Sequence, residues 1–149
     1  MARIEFNQLP KGLYEKVFAV EQYVESSGLD VRLLELMRYR VSQINHCLYC
    51  LDMHFKLAKK FGETDLRLYS VSGWEEAPYY SEKERAVLHF AEKLTQLNST
   101  AVSDEDFERL SDYFTQEEVA HLTLAVAQIN TWNRLMDAFR FEPGNFKVD

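Results

Sequence analysis

The chain has 149 residues, of which 46% are hydrophobic and 28% charged, and its formal net charge is −7. This length is typical of one domain (1–149) with a single buried core. The hydrophobic fraction is too high for a disordered or low-complexity protein. The acidic balance disfavours nucleic acid as a partner, because polyphosphate is also negative. No apolar run is long enough for a membrane span, and the N-terminus lacks the apolar run of a signal peptide. We therefore expect a cytoplasmic protein with no membrane partner.

Apolar residues recur at helical spacing along almost the whole chain, and the few glycines and prolines leave few turns. The first predicted helix starts near Pro10 and ends at Ser26-Ser27-Gly28. Asp30 caps the second helix, and Asn45-His46 separates it from a third. The third helix runs through both cysteines to Phe61.

Three later helices begin with a capping box, in which a hydroxyl residue is followed three positions on by an acid. The pairs are Ser81 with Glu84, Ser103 with Asp106, and Thr115 with Glu118. One more helical segment lies between Thr64 and Trp74. The last helix, to about Arg140, is apolar on nearly all sides, so it is either central to the domain or buried between subunits. The sequence predicts an all-α, compact bundle of about seven helices.

Both cysteines lie in one short string, His46-Cys47-Leu48-Tyr49-Cys50-Leu51-Asp52-Met53-His54. In a helix, Cys47, Cys50 and His54 share one face, because each residue advances by about 100°. Thiolate is the reactive form of cysteine, and His54 follows Cys50 by one turn, so the imidazole can take the Cys50 proton. This spacing favours a redox interpretation, in which the two thiols alternate between dithiol and disulfide.

Two other interpretations of the string remain open on spacing alone. Two thiolates and an imidazole form part of a zinc site, which needs a fourth ligand such as His89 or His121. The cysteines could instead be small hydrophobic residues in a core. Glu35 also has a second interpretation, as a surface ion pair with Arg38 three residues on.

The stretch from Leu33 to His54 resembles the alkylhydroperoxidase D-like proteins of the carboxymuconolactone decarboxylase superfamily. The family pattern is a glutamate, a cysteine twelve residues later, a second cysteine at plus three and a histidine four further on. The positions that match are Glu35, Cys47, Cys50 and His54. Residues 81–86 and 127–134 look like later blocks of the same family.

This resemblance implies a homo-oligomeric helical peroxidase that needs no metal or cofactor. It implies that Cys50 attacks the hydroperoxide and Cys47 resolves the product, with His54 as base or proton relay and Glu35 orienting it. A lipoamide-like or thioredoxin-like thiol would then reduce the Cys47–Cys50 disulfide. The alternatives are a non-enzymatic thiol redox sensor, a disulfide reductase, or a carboxymuconolactone decarboxylase-type enzyme, although members with decarboxylase activity lack the paired thiols.

Two residues of the string depart from the best-known peroxidase of the family. Tyr49 stands where that enzyme has a second relay histidine, and a tyrosine is a poor base near neutral pH. His46 either supplies the missing imidazole or caps the helix start in solvent.

Overall fold

The computed structural model describes residues 1–149 and contains seven α-helices, two short 3₁₀ turns and no strands. The helices are α1 (Leu13–Glu25), α2 (Val31–Ile44), α3 (Leu48–Lys60), α4 (Asp65–Ser70), α5 (Glu82–Thr95), α6 (Asp104–Ser111) and α7 (Gln116–Phe139). The 3₁₀ turns are Phe6–Gln8, which the sequence did not predict, and Val71–Gly73. The all-α prediction is confirmed, including the number of helices.

The predicted starts of α2, α5, α6 and α7 are confirmed by side-chain hydrogen bonds to free backbone groups. Helix α1 begins at Leu13, three residues after the predicted Pro10, and α3 begins at Leu48, so Cys47 lies outside the helix. The Asp30 carboxylate accepts the backbone N–H of Arg32 at 2.9 Å, and all three predicted capping boxes form at α5, α6 and α7. The start of α3 has a cap that the sequence did not predict. Cys47 precedes the helix as its N-cap residue, with an extended backbone conformation.

Helix α7 lies at the centre of the bundle and packs against α1, α2, α3, α5 and α6. Its apolar residues, such as Leu122 and Ile129, join the main core with residues of α2 and α5. A central position therefore accounts for the apolar faces of α7 within one chain. No helix combines the length and the hydropathy that a membrane crossing requires.

The turn between α2 and α3 is tied to α7, and this connection positions the cysteines. The side-chain amide of Asn45 donates to the Oδ1 atoms of Asn130 and Asn133, at 2.9 Å each. Asn133 in turn donates to the hydroxyl of Ser42 at 3.1 Å, where both side chains are buried. Because these polar groups satisfy one another, the end of α2 and the start of α3 lie at a fixed place on α7.

Candidate functional site

The two thiols meet at the N-terminal end of α3, where both are almost fully buried. Their sulfur atoms are 2.6 Å apart, and the exposed fractions are 2% for Cys47 and 0% for Cys50. The Cys47 sulfur also accepts the backbone N–H of Cys50 at 3.4 Å. The pair packs against Met136 of α7, so neither sulfur lies on an open surface.

The two thiols differ in acidity chiefly because of the close contact between their sulfur atoms. This contact with Cys50, with smaller support from the Cys50 N–H and the Asn133 amide, holds the pKa of Cys47 below its usual range. The same contact and burial both raise the pKa of Cys50. These opposite pKa shifts favour the negative charge of a singly ionised pair on Cys47 and the proton on Cys50. We expected the reverse order from the position of His54.

Glu35 and His54 come together across α2 and α3, as the resemblance implied. The Nδ1 of His54 donates to Glu35 Oε2 at 2.6 Å, and both side chains are buried. This bond fixes the orientation of the ring. The opposite ring atom, Nε2, is buried without a hydrogen-bond partner, so the imidazole does not bond to the Cys50 sulfur as the helical spacing had suggested. Nε2 is thus free to exchange a proton with a bound molecule.

A buried ion-pair chain extends from Glu35 to α1. Arg38 Nη1 donates to Glu35 Oε1 at 2.7 Å, its Nη2 pairs with Glu21, and Trp132 Nε1 donates to Glu21 at 3.0 Å. The alternative interpretation of Glu35 and Arg38 as a surface pair is wrong, because each residue is only 2% exposed. Burial opposes ionisation of Glu35, but His54 and Arg38 outweigh it and hold the pKa of this carboxyl below its usual range.

Sequence reasoning missed Glu21, although the sequence contains a signal for it. Glu21 follows Val17 by four residues and precedes Val24 by three, so it lies on the apolar stripe of α1. A carboxylate at such a position needs a buried cation, and Arg38 supplies it. An acid on an apolar stripe could therefore have indicated a buried charge cluster.

A cavity of about 290 Å³ connects these groups, and we call it the first cavity. Its polar lining consists of Cys50, His54, Glu35, Arg38, Glu21 and Glu25. Its apolar lining consists of Phe6, Tyr14, Phe18, Tyr49, Met53, Leu57, Trp132, Met136, Phe141 and Phe146. Burial raises the pKa of Tyr49, so its hydroxyl can donate a hydrogen bond but does not act as a base. An apolar space with a few convergent polar groups is typical of a small-molecule site.

The other histidines lie away from the first cavity. His89 bonds to Asp106 at 2.8 Å and His121 to Tyr23 at 3.2 Å, so neither completes a zinc site with the cysteines. No group of three His, Cys, Asp or Glu side chains is arranged to hold a metal ion. His46 is exposed in a left-handed conformation and does not cap α3, because Cys47 occupies that position.

Comparison with known proteins agrees with the family resemblance and the fold. Residues 11–93 match the carboxymuconolactone decarboxylase family. The uncharacterised YdfG protein of Bacillus subtilis is 36% identical over 134 residues, which cover 89% of this chain and 90% of YdfG.

Two solved structures share the fold. One is a protein of unknown function from Agrobacterium tumefaciens, considered a candidate antioxidant defence protein AhpD. It is 37% identical, with a TM-score of 0.92, and the match covers 97% of this chain and 99% of the other. The debrominase Bmp8, in complex with 2,3,4-tribromopyrrole, is 18% identical with a TM-score of 0.75, over 89% of this chain and 71% of its own. The chain therefore belongs to the carboxymuconolactone decarboxylase family, as an AhpD-like member.

Proposed function

We propose that this protein is a thiol-dependent peroxidase, which reduces organic hydroperoxides and cycles through a Cys47–Cys50 disulfide. The observation that carries the proposal is the first cavity, which is lined by both Cys50 and His54, whose Nε2 has no hydrogen-bond partner. A hydroperoxide in this space would meet a sulfur nucleophile and a proton donor together. Cys47 lies outside the first cavity, which favours Cys50 as the sulfur that meets the hydroperoxide.

In the first step of the proposed cycle, the O–O bond breaks and one oxygen is transferred to Cys50. The Cys50 proton moves to the Cys47 thiolate, 2.6 Å away, as the Cys50 sulfur attacks and becomes a sulfenic acid. The alkoxide that leaves takes a proton from Nε2 of His54. Glu35 keeps the ring in place through Nδ1 during this transfer.

In the second step, Cys47 closes the disulfide. Its proton passes to His54, its sulfur attacks Cys50, and the hydroxide that leaves takes the proton and departs as water. The thiol pair has then lost two electrons and its single proton, His54 has lost the proton it held at Nε2, and the hydroperoxide has become an alcohol and water. A thiol reductant must restore the dithiol, which fits a reducing compartment such as the cytoplasm.

The decisive experiment follows hydroperoxide consumption with dithiothreitol as reductant, using cumene hydroperoxide and hydrogen peroxide. We expect many turnovers per protein. A redox sensor would be oxidised once and then stop, and a decarboxylase-type enzyme would consume no peroxide. Either result would overturn the proposal.

The roles of the thiols are tested by serine variants and a sulfenic-acid probe. Cys47→Ser should trap a labelled sulfenic acid at Cys50, because no resolving thiol remains. Cys50→Ser should abolish turnover. Labelling of Cys47 in the Cys50→Ser variant, with no label at Cys50 in the other, would reverse the assignment.

The proton relay is tested by His54→Ala and Glu35→Gln, with His89→Ala as a matched control outside the first cavity. Loss of general acid–base catalysis should slow Cys50 oxidation by about 10²–10⁴-fold in His54→Ala, and by less in Glu35→Gln. His89→Ala should oxidise at the wild-type rate, because His89 contacts Asp106 and no cavity group. Equal rates in all three variants would rule out the relay.

A further inference from the structure

A second cavity, of about 260 Å³, lies on the other side of the thiol pair. Its lining includes Cys47, His46, Asp137 and Arg140, and it does not include Cys50. The first cavity shows the opposite pattern, because it includes Cys50 and not Cys47. The two sulfur atoms, although adjacent, therefore open onto different spaces.

The wall between the two cavities is made of three side chains that line both. They are Tyr49 of α3, Met136 of α7 and Phe141, which follows α7. Tyr49 and Phe141 pack edge to face, with ring centroids 5.6 Å apart. A molecule in one cavity is thus separated from the other cavity by packed apolar groups.

We infer that the second cavity is the entry site for a slender dithiol reductant, which attacks the disulfide at Cys47. This inference rests on the proposed function only in taking the Cys47–Cys50 disulfide as the oxidised state. Thiol–disulfide exchange requires that a thiolate contact the sulfur it attacks. From the second cavity that sulfur is Cys47, and Cys50 is the leaving group.

The depth of Cys47 defines the shape of the reductant. At 2% exposure, Cys47 cannot meet a thiol on a flat protein surface, whereas a small dithiol or a flexible dithiol arm can enter the cavity. The charged groups of the cavity, Asp137 and Arg140, have opposite signs, so the space suits an uncharged molecule.

The exchange balances in two steps. One thiol of the reductant loses its proton to solvent and bonds to Cys47, while the S–S bond breaks and Cys50 leaves as a thiolate. The two protons that the reductant releases to solvent over both steps reprotonate Cys50, through His54, and His54 itself. The second thiol of the reductant loses its proton to solvent and attacks the first reductant sulfur, which releases Cys47 as a thiolate. The reductant becomes a cyclic disulfide and has supplied two electrons. Access from the second cavity, and not leaving-group acidity, selects Cys47 in the first step, because the raised pKa of Cys50 makes Cys50 the poorer leaving group. In the second step the released Cys47 thiolate is stabilised by the Cys50 N–H, and a thiol of lowered pKa leaves readily.

The experiment compares two leucine variants on the same helix. Leu48 lines only the second cavity and is 63% exposed, whereas Leu57 lines only the first. Tryptophan at each position narrows one cavity, and circular dichroism checks that both variants fold. The disulfide is formed with diamide, so that reduction by dithiothreitol is measured without any peroxidase step. Oxidation by cumene hydroperoxide is measured separately.

We expect Leu48→Trp to slow reduction by at least about tenfold, because a displacement of about 1 Å can cost up to about 10²-fold. Its oxidation rate should stay within about twofold of wild type, and Leu57→Trp should show the reverse pattern. Unchanged reduction of Leu48→Trp would overturn the inference. Failure of cumene hydroperoxide to oxidise wild type would overturn the proposed function alone.

A trapping experiment identifies the attacked sulfur. A monothiol, 2-mercaptoethanol, cannot complete the second exchange within one molecule. A rapid acid quench in excess monothiol traps the mixed disulfide before the neighbouring thiol expels it, and mass spectrometry then locates the adduct. We expect the adduct on Cys47. An adduct on Cys50, or faster reduction by thioredoxin than by dithiothreitol at equal concentration, would overturn the inference.

Discussion

Replacing Arg38 with methionine should strongly destabilise the fold, because this residue is the buried cation between two buried carboxylates. Arg38 bridges Glu35 and Glu21, and its exposed fraction is 2%. Methionine keeps much of the side-chain length but removes the charge, which leaves Glu21 with only the Trp132 N–H and Glu35 with only His54. Breaking a buried pair costs about 3–5 kcal/mol. A typical protein has a free energy of unfolding of about 5–15 kcal/mol, so this loss would remove a large part of the stability of the variant.

The measurement is urea unfolding followed by far-UV circular dichroism near neutral pH. The matched control is Arg109→Met, which makes the same chemical change at a surface pair. Arg109 lies 3.7 Å from Glu82, and their side chains are 38% and 69% exposed. Its replacement should cost less than about 1 kcal/mol, because exposed pairs contribute little. A loss below about 1 kcal/mol in Arg38→Met as well would refute the reasoning from burial.

The pH dependence of the same variant gives a second check. The pKa of Glu35 in the folded protein lies below its ordinary value of 4.5, so ionised Glu35 stabilises the fold above that pH. This contribution is lost as the pH falls through the lowered pKa. His54 makes the larger contribution to this lowering and Arg38 the smaller one, so part of the lowering disappears without Arg38. The difference in stability between wild type and variant should therefore narrow on acidification below 4.5. A gap that widens would contradict the sign of this effect.

Three further predictions concern other parts of the molecule. Asp106 accepts hydrogen bonds from Lys93 and Ser103 that hold its pKa below the usual range. Asp106→Asn should lower the free energy of unfolding in urea at neutral pH by about 1–3 kcal/mol. The difference in stability from wild type should vanish as the pH falls through the lowered pKa. The first cavity has three carboxylates and one arginine, so it should repel an anionic substrate. In stopped-flow assays cumene hydroperoxide should react at least about tenfold faster than its para-carboxylate derivative. Glu25→Gln removes one negative charge and should reduce this difference in rate. Light scattering should give a mass above the 17.5 kDa of one chain, which corresponds to a homo-oligomer. The reason is that Phe6, which lines the first cavity, is 57% exposed and can be covered by a second copy of the chain. A monomer mass at micromolar concentrations would contradict this prediction.

The helices could be predicted from the sequence because their starts are encoded by neighbouring residues. A capping box needs only two side chains three positions apart, and all three predicted boxes form. The 3₁₀ turn at Phe6–Gln8 was missed, since its short segment has no periodic apolar pattern. Its capping bond runs between Glu5 and Gln8, a pair that lacks the hydroxyl residue of the usual signature.

The acidity of the thiols could not be predicted, because it depends on one residue at a helix boundary. A continuous helix through both cysteines gives Cys50 the advantage of the adjacent His54. In the structure the helix begins at Leu48, so Cys47 becomes the cap and receives a backbone N–H. A local sequence pattern locates a helix boundary only to within a residue or two, and here that shift makes Cys47 the residue that accepts the free backbone N–H.

The buried charges were also beyond local reasoning, since their partners are distant in sequence. Spacing on α2 brings Arg38 to Glu35, but only packing of α1 against α7 places Glu21 beside Arg38 and Trp132. This packing has a consequence for reactivity as well as for stability. Arg38 helps keep Glu35 ionised, and ionised Glu35 holds His54 Nδ1, which turns Nε2 towards the first cavity. Arg38 therefore has two effects. It stabilises the fold, and through Glu35 it helps to hold the imidazole of His54 in its orientation.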